Sequence, residues 1–174
     1  MSARCATLVG VSQVLIAPSP ADSTSAESAS TVPVSTVPAY WLRSFALQLT
    51  VQSAELDELG HVNNVVYLGW TEQVARAHAD AVGAGFTAMA ALGVVAVVRK
   101  HSLHYHHSAW LGDEIDIQTS ITEGGGLKAI RHNRIVNANT GELLVDGQTE
   151  WVWVNPATGR PKRPPQELLH KFGF

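Results

Sequence analysis

The sequence predicts an α+β fold in which an antiparallel sheet curls around one long helix. A segment from about Asn64 to Val82 is apolar on nearly every side, a pattern that is typical of a buried helix. One strand-like run, Arg43–Val51, precedes this helix, and four such runs follow it between Val94 and Val154. The order of one strand, one helix and then several strands favours a sheet that packs on the helix.

The composition is that of a globular protein, with 45% hydrophobic and 16% charged residues among 174. The net charge of -3, without a basic stripe, speaks against nucleic acid as a partner. No apolar run is long enough to cross a membrane. The single cysteine, Cys5, excludes an internal disulfide and favours a reducing compartment, so we expect a cytoplasmic protein.

The first 39 residues differ from the rest. Ala21 to Pro38 is rich in Ser, Thr, Ala and Pro and has no periodic large apolar residues. Such a segment cannot offset its ordering entropy, so we predict a disordered tail at 1–39 and one domain at 40–174. A non-functional tail is favoured over targeting signals, because Ser12 and Gln13 interrupt the apolar run and Arg4 is the one basic residue. Organelle import stays an alternative.

The elements before the sheet are justified by local chemistry. Arg43–Val51 alternates apolar and polar residues, as a half-buried strand does. An acidic loop that carries Asp57 follows it. Asn63 and Asn64 are good N-cap residues for the long helix, and Gly83 ends it. Phe86 to Leu92 is expected to form a short second helix.

The second half reads as strands separated by turns. The apolar run Val94 to Lys100 predicts a central strand that continues through Ser102 to His107. Glu114 to Thr122 and Leu127 to Val136 follow, and Leu143 to Val154 closes the sheet. A last helical turn or two is expected near Gln166 to Phe172.

A motif at the start of the long helix carries a resemblance. It reads Asp57-x-x-Gly60-His61-Val62-Asn63-Asn64-x-x-Tyr67, with Glu72 and Arg76 further along the helix. With Leu111–Ile115 and Asn155–Pro161 downstream, this motif resembles the 4-hydroxybenzoyl-CoA thioesterase family of hot-dog-fold proteins. The resemblance covers about Leu42 to Phe172. It implies a hot-dog fold, a homodimer or homotetramer with active sites at a shared interface, and hydrolysis of an acyl-CoA or acyl-carrier-protein thioester without metal or cofactor.

The resemblance also implies roles for residues at the helix start. Asp57 matches the carboxylate that acts as nucleophile or as base on water, and the two roles stay open. The backbone N–H of Asn64 matches the donor to the thioester carbonyl oxygen, and a helix N-terminus suits a developing oxyanion. The residues alone favour an ordinary loop acid or part of an Asx turn for Asp57, and the resemblance favours catalysis.

Glu72 and His61 have competing interpretations. In a second branch of hot-dog thioesterases the catalytic glutamate lies eight residues after the oxyanion-binding helix start, the place of Glu72. The alternative, a helix ion pair with Arg76, is favoured. His61 either polarises the carbonyl or keeps Asp57 ionised, or is a loop histidine bonded to backbone.

Four residues are expected to bind substrate: Asn63, Tyr67, Arg99 and Lys100. The residues alone favour a helix cap for Asn63 and a core position for Tyr67. Arg131 and Arg134 are among the further basic residues that would contact coenzyme A phosphates, or else are solvated charges. His104 and His106 would share one face of a strand, but without a third ligand we expect no metal site.

Two other functions stay open. A non-catalytic hot-dog protein would bind acyl thioesters or act as an assembly partner, and a hot-dog dehydratase is a third possibility. The nature of the acyl group is also open. Where the family often has an aromatic residue near the helix start, this chain has Asn63 and Asn64, which favours fatty over hydroxybenzoyl groups.

Overall fold

A computed structural model describes residues 13–14 and 44–174 of the chain. The helices and strands are, in chain order, β1 Gln13–Val14, β2 Phe45–Thr50, α1 Asn64–Ala81, α2 Phe86–Ala91, β3 Val95–Tyr105, β4 Glu114–Glu123, β5 Lys128–Asn137, β6 Leu143–Val154 and α3 Gln166–Lys171. The predicted α+β order is confirmed. Of the predicted tail, 1–12 and 15–39 lie outside the described residues, and β1 pairs with β2.

The sheet has six strands in the order β1-β2-β4-β5-β6-β3, and every neighbouring pair is antiparallel. The prediction that the run from Val94 forms a central strand is wrong. In the described chain β3 lies at the edge of the sheet, and Val97 and Val98 are 43% and 36% exposed. Nor does β6 close the sheet, because it lies between β5 and β3. An apolar run indicates which faces avoid water but not which strands are neighbours.

The helix α1 packs on one face of this sheet. Its buried residues are Tyr67, Trp70, Thr71, Val74, Ala75 and Ala79, at helical spacing. They meet strand residues such as Ile115, Ile117 and Ile135, each fully buried. The other side of the helix is open, since Val65 is 72% exposed and Arg76 is also exposed. The sequence led us to expect a helix that is buried on nearly every side. In the structure, α1 is buried on the side that faces the sheet and exposed on the other side.

The C-terminal segment closes one end of these layers. Leu168 and Leu169 of α3 are buried. The ammonium of Lys171 donates to the carbonyl oxygen of Gly83 at the end of α1, at 2.8 Å. Lys162 does the same for Gly93, after α2, also at 2.8 Å. Both lysines place a positive charge where a helix ends with free carbonyl groups, which stabilises that end. No helix in the described ranges has the length and apolarity needed to cross a bilayer.

Candidate active site

Asp57 and His61 close a tight hairpin just before α1. The Asp57 N–H donates to the His61 carbonyl oxygen at 2.9 Å, and the Gly60 N–H donates to the Asp57 carbonyl oxygen at 3.1 Å. Leu56 and Val62 form the next antiparallel pair. Gly60 has a φ of +82°, a left-handed conformation that glycine adopts without a Cβ penalty. This turn brings together the side chains of Asp57 and His61, two of the four residues predicted to be catalytic.

The Asp57 carboxylate is held by two neighbours. Its Oδ1 accepts a hydrogen bond from the Leu59 N–H at 2.9 Å, which is the Asx turn that the sequence left as an alternative. Its Oδ2 lies 3.3 Å from the Nδ1 of His61. The two side chains are 19% and 26% exposed, so the pair is fixed in place but still reached from outside.

The first turn of α1 offers a free backbone donor. The side chain of Asn63 caps the helix by accepting the Val65 N–H at 2.9 Å. The Asn64 N–H has no hydrogen-bond acceptor among the described residues. Such first-turn donors carry the positive end of the helix dipole. A carboxylate and a free donor thus flank the short segment that leads into the helix.

Two aromatic residues lie beside the hairpin and the helix start: Tyr105, the last residue of β3, and Trp110, in the connection between β3 and β4. The hydroxyl of Tyr105 donates to the Asn64 carbonyl oxygen at 3.2 Å, which ties β3 to the helix start. The ring of Trp110 meets the His61 ring edge-on at 5.8 Å, and the two residues also form an isolated β-bridge. The contact between Tyr105 and Asn64 was missed from the sequence, because no local pattern indicates a contact across 41 residues.

Tyr67 lies in the core rather than at the surface of the site. It is 2% exposed, and its hydroxyl oxygen accepts the Ala109 N–H at 2.8 Å. Burial is the largest cause of the raised pKa of Tyr67, and the hydrogen bond from Ala109 opposes it. This placement agrees with the core alternative that the sequence left open.

Glu72 lies apart from the hairpin. Eight residues of helix separate it from Asn64, a rise of about 12 Å. Its carboxylate is 3.8 Å from the Nε2 of His101 and 4.0 Å from the Nη2 of Arg76. The Nδ1 of His101 in turn lies 3.1 Å from the Thr149 hydroxyl. Glu72 therefore belongs to a separate polar group between α1 and the sheet, and the predicted pairing with Arg76 is part of it.

The predicted phosphate contacts lie on or beside β3. Arg99 is 63% exposed and its Nε lies 3.5 Å from Glu150. Lys100 lines a polar groove of about 360 Å³ on the sheet face opposite α1. In the described chain neither makes a hydrogen bond or ion pair with the Asp57 hairpin. Arg131 differs from both, because it is 5% exposed and so cannot act as a surface contact or a solvated charge.

The histidines near the end of β3 gather around acidic side chains. His104 Nδ1 and His106 Nε2 lie 3.8 and 2.9 Å from the same Asp146 oxygen. His107 Nδ1 lies 3.3 Å from Glu142. Across residues 13–14 and 44–174, no three His, Cys, Asp or Glu side chains are grouped so that they would hold a metal ion.

This hairpin, the helix start and the sheet correspond to a known family. Residues 51–172 match the thioesterase-like superfamily. The chain belongs to this family. The acyl-CoA thioester hydrolase YbgC of Escherichia coli O6:H1 is 35% identical over 85 residues, which are 49% of this chain and 63% of that protein. The protein of the same name from Shigella flexneri gives the same values. The chain therefore spans somewhat less than two thirds of the length of these relatives.

Solved structures show the same fold. A 1,4-dihydroxy-2-naphthoyl-CoA thioesterase from Synechocystis superposes with a TM-score of 0.68 at 18% identity, over 74% of this chain and 95% of that one. An oleoyl thioesterase (putative) from Lactobacillus plantarum gives 0.70 at 19% identity, over 74% of this chain and 50% of that one. These similarities confirm the predicted hot-dog fold.

Proposed function

We propose that the protein hydrolyses the thioester of an acyl-CoA or acyl-carrier-protein to a free acid and a thiol. The observation that carries the proposal is the placement of the Asp57 carboxylate on the turn that leads into the free Asn64 N–H. The family, and the resemblance to an acyl-CoA thioester hydrolase, support the same reaction.

The proposed chemistry uses both groups on one carbonyl. The thioester oxygen accepts a hydrogen bond from the Asn64 N–H, which stabilises the negative charge that develops as the carbonyl carbon is attacked. Asp57 either attacks that carbon or takes a proton from the attacking water. When Asp57 acts as the base, the carbon–sulfur bond then breaks and the proton taken up by Asp57 passes to the leaving thiolate. When Asp57 attacks, the same bond cleavage leaves an anhydride between Asp57 and the acyl group, which a water molecule hydrolyses; one of its protons goes to the thiolate and the other to solvent. His61, 3.3 Å from Asp57, orients the carboxylate.

The exposure of the four predicted substrate-binding side chains decides which of them can contact the substrate. Arg99 is 63% exposed and Lys100 is also exposed, so both are available to the phosphates of coenzyme A. The side chain of Asn63 is used as the helix cap and that of Tyr67 is buried. The proposal therefore assigns the first pair, and not the second, to direct contact with the substrate.

A homodimer, or a homotetramer built from two such dimers, is part of the proposal. Among the residues that the structure describes, no strand pairs with the outer edge of β3, which runs over 11 residues, and Val97 and Val98 on this strand are exposed. A second copy that pairs along this edge would cover both features. Light scattering on the purified protein tests it, and a monomer at micromolar concentration would contradict it.

Replacing Asp57 by Asn tests the reaction, because the amide keeps the shape but has no basic or nucleophilic oxygen. We expect a loss of at least about 10²-fold in kcat on acyl-CoA substrates, with unfolding by urea unchanged. Glu58→Gln is the matched control, since Glu58 is an exposed acid in the same turn. Retained turnover in Asp57→Asn would exclude the mechanism. No turnover in the wild type, over fatty and aromatic acyl-CoAs, would favour a binding protein.

A further inference from the structure

A second cleft lies away from the Asp57 hairpin, between the C-terminal half of α1, α2 and the sheet. Its volume is about 340 Å³, and its walls include Ala75, Ala79, Phe86, Met89 and Trp153. Ala75 and Ala79 lie 11 and 15 residues along the helix from Asn64, or about 16 and 22 Å. The volume falls in the range of about 300–1,000 Å³ that is usual for sites of small molecules.

One wall of this mostly apolar cleft carries a buried cation. Arg131 is 5% exposed, and its Nη1 donates to the Thr119 hydroxyl at 3.2 Å and to the Nδ1 of His78 at 3.0 Å. Both acceptors are neutral. The Thr119 hydroxyl carries no charge, and burial, followed by the Arg131 charge, lowers the pKa of His78 to about 4. No carboxylate within the described ranges lies at ion-pair distance from Arg131, and Glu72 offsets the burial of its charge only in part. A buried charge without an ion pair is costly.

The remaining hydrogen-bond donors of the Arg131 guanidinium have no acceptor among the described residues. Its Nε and Nη2 groups have no hydrogen-bond acceptor among the described residues, and together they form the fork that fits a carboxylate. The indole N–H groups of Trp151 and Trp153, in the same wall, are also buried without an acceptor in the described chain. Of the charged residues that line the cleft, Arg76 and Asp80 balance each other in charge, which leaves the positive charge of Arg131. Glu72, outside the lining, acts on that charge from a distance.

We propose that this cleft binds an organic carboxylate with an apolar body, whose two oxygens pair with the Nε and Nη2 of Arg131. The apolar body lies among Ala79, Phe86 and Met89. Two sources supply this chemistry. One is a free fatty or aromatic acid, and the other is the far carboxylate of a dicarboxylic acyl chain whose thioester lies at Asp57.

Calorimetric titration of the full chain with decanoate and with 1-decanol tests the charge pairing. Since hydrogen bonds to charged groups are worth about 1.5–3 kcal/mol, decanoate binds the wild type at least about tenfold tighter than decanol. Arg131→Met loses this preference but still binds decanol. Arg134→Met is the matched control, because Arg134 is on the same strand and lines the groove on the opposite sheet face. It keeps the wild-type preference.

Thermal unfolding provides the second readout. Decanoate raises the Tm of the wild type and of Arg134→Met but not that of Arg131→Met. If Arg131→Met fails to fold, Ala79→Leu takes its place, because the larger side chain fills the cleft while Arg131 stays. That variant weakens binding of both probes. Equal affinity of the wild type for decanoate and decanol, no binding at all, or unchanged binding in Arg131→Met or Ala79→Leu overturns the proposal.

Turnover then distinguishes the two sources. If the far end of the acyl chain occupies the cleft, Arg131→Met lowers kcat/KM for hexadecanedioyl-CoA but not for hexadecanoyl-CoA. If a free acid occupies it, both rates stay as in the wild type and only decanoate binding falls. The titration itself needs no turnover, so it tests the cleft even if the hydrolysis proposed above fails.

Discussion

His78 is expected to make the stability of the fold depend on pH. Its ring stacks on Phe45 at 5.3 Å and meets Phe172 edge-on at 5.7 Å. Its Nδ1 lies 3.0 Å from Arg131, and since a guanidinium only donates, this nitrogen accepts and the proton lies on Nε2. Protonation of Nδ1 would break that hydrogen bond and place two cations side by side.

The size of the effect follows from the pKa. Burial, and then the charge of Arg131, lower the pKa of His78 in the folded state from 6.5 to about 4. The folded state therefore favours the neutral ring, so the stability it provides is complete above pH 6.5 and is lost as the pH falls towards 4. The full loss is at most about 3 kcal/mol, since part of the ring reaches solvent, and about 2 kcal/mol of it is lost by pH 5.

Urea unfolding of the wild type and His78→Asn at pH 7.5 and 5.0 tests this reasoning. The Asn side-chain oxygen replaces Nδ1 as the acceptor for Arg131 but does not titrate. The variant starts less stable at pH 7.5, because it loses the ring contacts, yet it loses about 2 kcal/mol less than the wild type on going to pH 5.0. His170→Asn is the control, because His170 is exposed on α3. Equal losses in the wild type and His78→Asn would refute the reasoning.

Three further substitutions, one of them with a control variant, test the geometry of the site and the sheet. Asn63→Ala removes the helix cap and costs about 1 kcal/mol in urea unfolding, whereas Asn64→Ala, which caps nothing, costs less. Gly60→Ala meets no atoms within 4 Å, so its cost of about 1–2 kcal/mol comes from the φ of +82° alone, and the shifted hairpin lowers kcat as well. Gly147→Ala is the most disruptive of the three, because its Cβ would overlap the carbonyl oxygen of Ser102 on β3. We expect loss of soluble protein or a large drop in Tm. A wild-type Tm would contradict the pairing of β6 with β3 in this register.

Much of the local structure was predictable from the sequence. The helix expected at about Asn64 to Val82 is α1, Asn64–Ala81, and the cap expected at Asn63 is formed. The strand expected at Glu114 to Thr122 is β4, Glu114–Glu123. Apolar periodicity and cap chemistry act between residues a few positions apart, so they are visible without the fold. The placement of Asp57 beside His61 was predictable for the same reason, since they are four positions apart in the sequence.

Other features depended on contacts between distant parts of the chain. The sequence did not show that β3 is an edge strand, that Tyr105 reaches the carbonyl of Asn64, or that Glu72 pairs with His101 rather than lying beside Asp57. Each depends on which strand lies next to which, and the pattern of one strand carries no information about its neighbours.

The chain by itself thus determined the α+β order, the helix with its cap, and the carboxylate placed just before the helix start, because these follow from short-range periodicity and backbone chemistry. Tertiary structure alone decided that Arg131, two positions along a strand from buried Ala129, lies under α1 at 5% exposure beside a cleft. A strand residue faces one side or the other by alternation, but only the packed helix makes one of those sides an interior that water does not reach.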